Sequence, residues 1–226
     1  HIMAMDKGIL GANGIVGGGI PIATGAAYSA KYRETDQVAI SFMGDSATNE
    51  GTFHESINMA AAWNLPCIYV IENNLYGISV DIRDVTNTPD LAVRAKAYDI
   101  PGVVVDGMDV TAVYEAAVEA VKRAREGKGP TLIECKTYRW QGHHVGDPAT
   151  YRQRRSKTEK EDWMKKCPVT TLRAEMIASG KVKEAEIEAL EAKIEEEIQA
   201  AVKFAADSDY PDASEAFTDV FQQGTL

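Results

Sequence analysis

Residues 44–74, with the sequence GDSATNEGTFHESINMAAAWNLPCIYVIENN, carry the pattern from which the fold of the chain is predicted. Two short apolar runs, Val38 to Met43 and Cys67 to Ile71, have the length and composition of buried strands. Between them, the segment from Phe53 to Trp63 carries apolar residues at helical spacing. The stretch therefore predicts a strand, a turn, a helix and a second strand, followed by another turn.

The two turns carry polar residues that we expect to meet at one edge of a sheet. A parallel strand-helix-strand unit crosses over in one direction, so the carboxyl ends of both strands lie at the same edge. Asp45 follows the first strand and Asn74 follows the second. Their oxygens suit Mg²⁺, which usually keeps phosphate oxygens among its ligands. The residues after Asp45 are predicted to open the crossover helix, whose free N–H groups favour an anion. A magnesium diphosphate site is the simplest interpretation.

These residues resemble the thiamine diphosphate motif, in which Gly-Asp and an Asn-Glu pair precede a helix and Asn-Asn follows it. The flanking sequences extend the likeness. They are FHESINMAA from Phe53, WNLP from Trp63 and ENNLYGIS from Glu72. They look like the alpha subunit of the first component of 2-oxo acid dehydrogenase complexes, a group that includes acetoin dehydrogenases. The resemblance covers nearly the whole chain and implies further residues in front of it, so we expect an N-terminal part to be missing here.

The resemblance implies a metal and diphosphate site in the two turns. Its metal ligands would be the Asp45 carboxylate, the Asn74 side chain and the backbone carbonyl of Tyr76. This chain has Ser46 where the family usually has Gly, and we expect binding to survive this change, because Ser can cap a helix start. Taken singly, Gly-Asp or Asn-Asn would be an ordinary turn. The expected cofactor-binding residues of the two turns are Gly44, Asp45, Ser46, Ala47, Asn74 and Tyr76.

The segment from Gly8 to Gly19 is rich in glycine, but it lacks the Gly-Lys-Ser/Thr ending of a nucleotide P-loop. A mobile linker is one interpretation. The interspersed apolar residues instead favour a loop whose backbone approaches a ligand closely. The resemblance implies that the Gly14 carbonyl and the Val16 N–H contact the aminopyrimidine ring of thiamine diphosphate. Ile15 or Val16 would then pack beneath the bent cofactor.

Two adjacent histidines, His143 and His144, follow the fourth predicted strand. A solvated loop with incidental histidines is one interpretation. By resemblance, His143 matches a family histidine that lies over the thiazolium and the diphosphate. His143 is therefore the expected catalytic residue. It would orient or protonate intermediates. His144 stands where some relatives carry a regulatory phosphoserine, so that form of control is not expected here.

The remaining pattern alternates strands with helices. Val103 to Val105 and Thr131 to Lys136 read as strands, and the segment between them reads as a helix capped by Asp109 or Thr111. This predicts an α/β fold, a mostly parallel sheet covered by helices on both faces, as in the thiamine diphosphate-binding fold. We expect a single domain over residues 1–226, with the core sheet and site loops up to about residue 165. Residues 166–226 would form C-terminal helices and a tail, including an amphipathic helix over 185–204, that pack on the core and on a partner.

Bulk properties narrow the function classes. The formal net charge of −10 argues against generic binding to nucleic acid or to an anionic membrane. The three cysteines form no close pair, which favours core thiols in a reducing compartment over a disulfide or zinc framework. The sequence has neither an 18-residue apolar run nor a recognisable signal peptide, so the cytoplasm is the expected location.

The function that the resemblance implies is half of a shared active site. The chain would bind Mg²⁺ and thiamine diphosphate in an α2β2 heterotetramer, and a beta subunit would supply the Glu that activates the cofactor. The enzyme, an oxidoreductase, would cleave acetoin or oxidatively decarboxylate pyruvate or another 2-oxo acid. Between these substrates, the interpretation slightly favours acetoin. The enzyme would pass the acyl group to lipoamide on a lipoyl-bearing acyltransferase. The basic residues Arg152, Arg154 and Arg155 could dock an acidic surface of that partner, or they could simply be solvated. The alternatives are a non-catalytic thiamine diphosphate-binding or scaffold protein and, less favoured, a fragment of a single-chain transketolase or decarboxylase.

Overall fold

Four parallel strands form the central sheet of the protein, in a computed structural model that describes residues 2–147 and 157–218. The sheet order is β1-β2-β6-β5, and β3 and β4 form a separate antiparallel hairpin. Gly44 at the end of β1 pairs with Glu72, and Asn73 at the end of β2 pairs with Lys136 of β6. The carboxyl ends of these three strands therefore meet at one edge. In chain order the strands are β1 Ala39–Gly44, β2 Cys67–Asn73, β3 Tyr76–Gly77, β4 Val80–Asp81, β5 Gly102–Asp106 and β6 Thr131–Lys136.

The helices connect these strands and continue beyond them. Asp109 caps α4, as its position predicted, by accepting hydrogen bonds from the N–H groups of Thr111 and Ala112 at 2.9 and 3.0 Å. The 3₁₀ helices span Met5–Lys7, Asp45–Asn49, Leu91–Tyr98 and Ala213–Phe217. The α-helices are α1 Gly19–Tyr32, α2 Gly51–Ala62, α3 Ile82–Val85, α4 Val110–Arg125, α5 Lys157–Met164, α6 Pro168–Ala178 and α7 Glu184–Asp207.

Helices cover the sheet on both faces, which confirms the predicted fold class. On one face, α1, α2 and the helix Leu91–Tyr98 pack against the sheet, and Phe53 and Ile57 of α2 are fully buried. Burying each of these two side chains contributes about 1.5–3 kcal/mol. On the opposite face, α4 packs Ala120 against Ile68 and Ile133. Successive side chains of β2 and β6 point to opposite faces of the sheet, so both strands supply apolar side chains to the core on each face.

Strand β1 is an edge strand that buries mainly one of its faces. Ser41 and Met43 point into the core, whereas Ile40 is 45% exposed and Phe42 is 67% exposed. Successive side chains of a strand point to opposite faces, so Ile40 and Phe42 belong to the same outward face. Among residues 2–147 and 157–218, little packs over that face.

The start of the crossover helix differs from the prediction. The chain does not enter an α-helix after Asp45 but makes the 3₁₀ helix Asp45–Asn49, then an extended residue at Glu50, and α2 begins at Gly51. The Thr48 hydroxyl donates to the Asp45 carbonyl at 2.7 Å, and Arg94 binds the Thr48 carbonyl. These contacts compete with the i to i+4 hydrogen bonds of an α-helix and favour a tighter turn.

Two further segments also differ from the sequence interpretation. The polar stretch over residues 81–90, whose Asn87 and Pro89 are typical of a loop, contains α3, which Asp81 caps by accepting from the Arg83 N–H at 2.9 Å. Helix α5 was not predicted. Its Trp163 ring stacks on Tyr138 with centroids 5.8 Å apart, so distant packing rather than local pattern accounts for where this helix lies.

The chain clusters into two compact units, His1–Leu172 and Arg173–Leu226. In the second unit, the Lys183 N–H at the start of α7 donates to Glu186 Oε2 at 2.8 Å. Leu190, Ile194 and Ile198 of α7 lie at the spacing predicted for an apolar stripe and are 49–56% exposed. The expectation of a single domain stays a prediction. No helix in the described part of the chain has the length and apolar composition needed to cross a membrane.

Gly102 generates a test of the packing between β5 and the helix Leu91–Tyr98. A Cβ at this position would overlap the Ala92 carbonyl oxygen and lie 2.8 Å from Ala95 Cβ. We therefore expect Gly102→Ala to lower the free energy of unfolding by about 2 kcal/mol or more, measured by urea denaturation. Gly25→Ala on α1 is the matched control, since a Cβ there meets no atom within 4 Å and Ala favours the helix. Equal stability of the two variants would contradict this packing.

A candidate metal and diphosphate site at the sheet edge

Asp45 is a buried carboxylate at the end of β1, with 1% of its surface exposed. Its Oδ1 accepts a hydrogen bond from Ser46 Oγ at 3.0 Å. Its Oδ2 is buried and has no hydrogen-bond partner in the described part of the chain. Burial raises the pKa of Asp45, against the opposing effects of Ser46, of the Asn74 backbone N–H and of the Arg139 charge. A buried carboxylate with one oxygen left unpaired is a group that a cation would complete.

Asn74 lies beside Asp45 in the turn after β2. Gly44 pairs with Glu72 in the register of β1 and β2, and Asp45 and Asn74 line the same groove, so the two strand ends adjoin. The Asn74 Oδ1 accepts from the Tyr76 N–H, and the Asn73 Oδ1 accepts from the Leu75 N–H, each at 3.3 Å. Leu75 has φ of 73°, in the left-handed region. Consecutive Asx turns thus hold the Asn74 side chain at the sheet edge.

The Tyr76 carbonyl, the third predicted metal ligand, is bonded to an arginine. Arg139 Nη1 donates to this carbonyl at 3.1 Å, and Nη2 donates to the Ile78 carbonyl. The Tyr76 ring is buried, and its hydroxyl donates to Glu159 Oε2 at 3.2 Å. Burial, with the nearby charge of Glu159, raises the pKa of Tyr76 to about 12. Arg139 was not among the predicted site residues, although it lies in the segment that carries the two histidines.

An open groove of about 1860 Å³ connects these groups with the glycine-rich loop. Gly14, Ile15 and Val16 line the groove, and the Ile15 and Val16 side chains are 75% and 58% exposed. The Asn13 Oδ1 accepts from the Ile15 N–H at 3.0 Å and shapes the loop, and Gly17 adopts φ of 76°. The groove therefore has an apolar wall opposite its polar end, which suits a ligand with a ring and an anionic tail.

His143 also lines the groove and is exposed. Its backbone N–H donates to Asp147 Oδ2 at 2.7 Å, and its ring centroid lies 5.9 Å from that of His144. The other predicted residues of the first turn lie at the same edge, Gly44 closing β1, Ser46 half-buried and Ala47 buried. The basic cluster of Arg152, Arg154 and Arg155 lies outside the described residues.

Glu134 on β6 is a fully buried carboxylate that sequence reasoning missed. Its Oε1 accepts from Asn73 Nδ2 at 2.7 Å and pairs with Lys136 Nζ at 2.6 Å. Its Oε2 accepts from the Ala92 N–H at 2.8 Å. The network ties the end of β2 to β6 and so supports the Asn73-Asn74 turn. An acidic residue inside the apolar run TLIECK was the available sequence signal.

Arg94 supports the first turn in the same way. Its guanidinium binds the Thr48 carbonyl, and it donates to Thr48 Oγ1 at 2.9 Å and to Asn49 Oδ1 at 2.7 Å. Burial lowers the pKa of Arg94 from its ordinary value. Sequence reasoning missed this residue too, because its partners are more than forty positions away.

The donor set fits a magnesium ion that is shared with a diphosphate. Within residues 2–147 and 157–218, no cluster of three or more His, Cys, Asp or Glu side chains could hold a metal. A cation at Asp45 would need amide and carbonyl oxygens of this chain together with oxygens of a bound molecule. Such an all-oxygen shell, completed by phosphate, is what Mg²⁺ prefers. The unpaired Asp45 Oδ2 is the observation that favours this fit.

The chain is similar to one family model and to several curated proteins. The family model described as Dehydrogenase E1 component matches residues 1–214. The alpha subunit of acetoin:2,6-dichlorophenolindophenol oxidoreductase from Bacillus subtilis (strain 168) is 46% identical over 221 residues, covering 98% of this chain and 65% of the relative. The same subunit from Cupriavidus necator is 45% identical, covering 98% and 66%.

The chloroplastic pyruvate dehydrogenase E1 component subunit alpha-3 of Arabidopsis thaliana is also similar. It is 42% identical over 227 residues, covering 98% of this chain and 52% of the relative. The chain thus spans about half to two thirds of the length of these curated relatives.

The buried network beneath the second turn generates a stability test. We expect Glu134→Gln to lower the free energy of unfolding by about 3 kcal/mol, because it leaves the Lys136 charge without its buried partner. Asp90→Asn is the matched control. Asp90 pairs with the same lysine at 3.0 Å, but the Asp90 side chain is 52% exposed. We expect this control to cost less than about 1 kcal/mol in urea denaturation. Equal losses would mean that burial of Glu134 does not set the strength of the network.

Proposed function

The chain belongs to the dehydrogenase E1 component family, and we propose that it is the alpha-type chain that binds Mg²⁺ and thiamine diphosphate for an oxidoreductase. One observation carries the proposal. Asp45, 1% exposed with Oδ2 unpaired, adjoins Asn74 at the edge where strands β1 and β2 end. A buried charge persists in a fold only where something compensates it, and here a divalent cation is the matching group.

Each wall of the groove has a proposed role in binding. Asp45, Asn74 and the Tyr76 carbonyl hold Mg²⁺, and Gly44, Ser46 and Ala47 face the diphosphate. Arg139, bonded to the Tyr76 carbonyl, adds positive charge that favours an anionic tail beside the metal. Gly14, Ile15 and Val16 receive the aminopyrimidine ring, with the exposed Ile15 and Val16 side chains as its apolar support.

The chemistry follows from these placements. When bound, thiamine diphosphate supplies a carbon nucleophile for a carbonyl carbon of the substrate. The apolar wall at Ile15 and Val16 would exclude water from one side of the groove and support the rings of the bound cofactor. His143 on the groove wall exchanges a proton with the substrate oxygen through its ring nitrogen. The chain itself thus orients the reacting groups and moves one proton.

A beta-type partner completes the proposed active site. Two acidic residues line the groove in the described part of the chain, Asp45 and Glu50. Asp45 is committed to the metal, and Glu50 is exposed beside Gly17, where it packs through its aliphatic carbons. We therefore propose that the partner supplies the activating carboxylate, as the resemblance implies, and that the two chains form an α2β2 assembly. This division agrees with relatives whose names call them alpha subunits.

Acetoin or pyruvate is the proposed substrate, and lipoamide on a lipoyl-bearing acyltransferase accepts the product acyl group. The relatives are named for both substrates at 46% and 42% identity, so their names support both. The segment from Tyr138 to Asp147 resembles subunits of both kinds, and we propose acetoin first because the relative named for it is the more similar of these two. The second candidate is a thiamine diphosphate-binding scaffold without turnover. It is motivated by Ser46, which stands where the family usually has glycine.

Cofactor binding tests the metal site. We expect the 226-residue chain to bind thiamine diphosphate in calorimetric titrations with Mg²⁺ and to lose this binding in EDTA, because the diphosphate reaches Asp45 through the metal. Asn74→Ala and Asp45→Asn should each raise the Kd at least about 100-fold. The exposed Asn87→Ala and Asp84→Asn are the matched controls and should leave it unchanged. Equal affinity with and without Mg²⁺ would contradict the proposed site.

Turnover tests the division of labour between subunits. We expect the chain alone to be inactive, and the chain reconstituted with a beta-type partner to act on acetoin or pyruvate in preference to branched-chain 2-oxo acids. His143→Ala should lower kcat by about 100-fold or more, as loss of a proton-transfer group does. Glu50→Gln should stay within about threefold of the wild type, since a partner supplies the carboxylate. Full turnover without a partner would overturn the shared site, and binding without turnover in the assembly would favour a scaffold.

A further inference from the structure

Ser46 links the two turns of the candidate site. Its hydroxyl donates to Asp45 Oδ1 at 3.0 Å, and its side chain packs against the Cα of Gly77, the residue after Tyr76. A Cβ built on Gly77 would overlap Ser46 Oγ and lie 2.9 Å from Ser46 Cβ. One small side chain thus touches the predicted carboxylate ligand on one side and the turn of the predicted carbonyl ligand on the other.

The need for glycine at position 77 comes from Ser46 alone. Gly77 does not adopt a left-handed φ, so its backbone conformation is open to any residue. Beyond Ser46 and the two adjacent residues, no heavy atom of the described chain lies within 4 Å of the place that a Cβ would take. Ser46 and Gly77 are therefore a matched pair, in which the serine side chain occupies the space that the glycine leaves.

We propose that Ser46 is a positioning residue that holds Asp45 Oδ2 and the Tyr76 carbonyl at a fixed separation for the same divalent cation. This inference rests on the proposed function of the site. By binding Oδ1, the hydroxyl fixes which carboxylate oxygen stays unpaired. By packing on Gly77, the same side chain sets how closely the Tyr76-Gly77 strand approaches β1. Preorganised ligands bind a metal more tightly, because their freedom is lost on folding and not on binding.

An unfolding cycle on the cofactor-free chain tests the packing half of the proposal. We expect Gly77→Ala to lower the urea midpoint, because its Cβ overlaps the serine side chain. The double variant Ser46→Gly/Gly77→Ala should recover most of that loss, since removal of the serine side chain leaves the new Cβ in open space. Gly25→Ala is the matched glycine control, and we expect no interaction between Gly25→Ala and Ser46→Gly. Additive effects of Ser46→Gly and Gly77→Ala would overturn the coupling.

Cation binding tests the positioning half. We expect Ser46→Ala to raise the Kd for Mn²⁺ about tenfold in the presence of thiamine diphosphate, measured by electron paramagnetic resonance. Saturating Mn²⁺ or Mg²⁺ should restore thiamine diphosphate binding to the wild-type level, which a misfolded variant would not allow. Ser41→Ala is the matched serine control, since the buried Ser41 Oγ on β1 has no hydrogen-bond partner in the described part of the chain, and we expect its Kd to match the wild type.

The outcomes separate this inference from the proposed function. Wild-type binding with an unchanged Mn²⁺ Kd in Ser46→Ala would overturn the positioning role and leave the proposed function standing. A wild-type chain that binds neither Mn²⁺ nor thiamine diphosphate, alone or with a beta-type partner, would overturn both the proposed function and the positioning role. A tenfold loss that excess cation reverses, together with the rescued double variant, would support Ser46 as the residue that joins the two turns.

Discussion

The buried carboxylate of Asp45 is the constraint on which the arrangement of the sheet edge depends. Its oxygens are removed from water, and Oδ2 finds no partner among the described residues. A group of this kind costs several kcal/mol if nothing compensates it. The parallel crossover brings Asn74 to its side, and that adjacency follows from chain handedness alone. If Asp45 binds the proposed cation, metal affinity and the stability of the free chain are opposed at this residue.

Three buried or half-buried charged residues hold the two turns at the sheet edge. Arg94 binds the turn after β1, Arg139 binds the carbonyls of Tyr76 and Ile78, and Glu134 binds the Asn73 side chain. Turns at a sheet edge lack the regular hydrogen bonds of strands, so long side chains from other elements satisfy them. Each anchor comes from a segment distant in sequence. The precision of the site thus depends on the whole first unit rather than on the motif alone.

Periodicity and handedness were sufficient to predict the sheet, its helices on both faces and the meeting of Asp45 with Asn74. Strand β6 lies at its predicted bounds, because a short apolar run between a turn and a polar segment has little freedom. The 3₁₀ helix Asp45–Asn49 was beyond reach, since it depends on Arg94, 46 positions from Thr48. Arg139 was missed for the same reason, since the carbonyls that it binds are more than sixty positions away. Glu134 did leave a local signal, an acidic residue inside an apolar run, but its partners could not be read from that signal. The roles of Gly14, Ile15, Val16 and His143 stay predictions, supported by their positions on one groove.

The outward face of β1 has a practical consequence for handling the protein. Ile40 and Phe42 form a water-facing apolar strip on an edge strand whose backbone groups lack a neighbouring strand on one side in the described part of the chain. Exposed edges of this kind template association between molecules. At high concentration, with nothing bound over β1, this chain of 226 residues will tend to self-associate. The extent of self-association will depend on protein concentration and ionic strength. The solubility of the chain thus depends on how far the outward face of β1 is kept from a second copy.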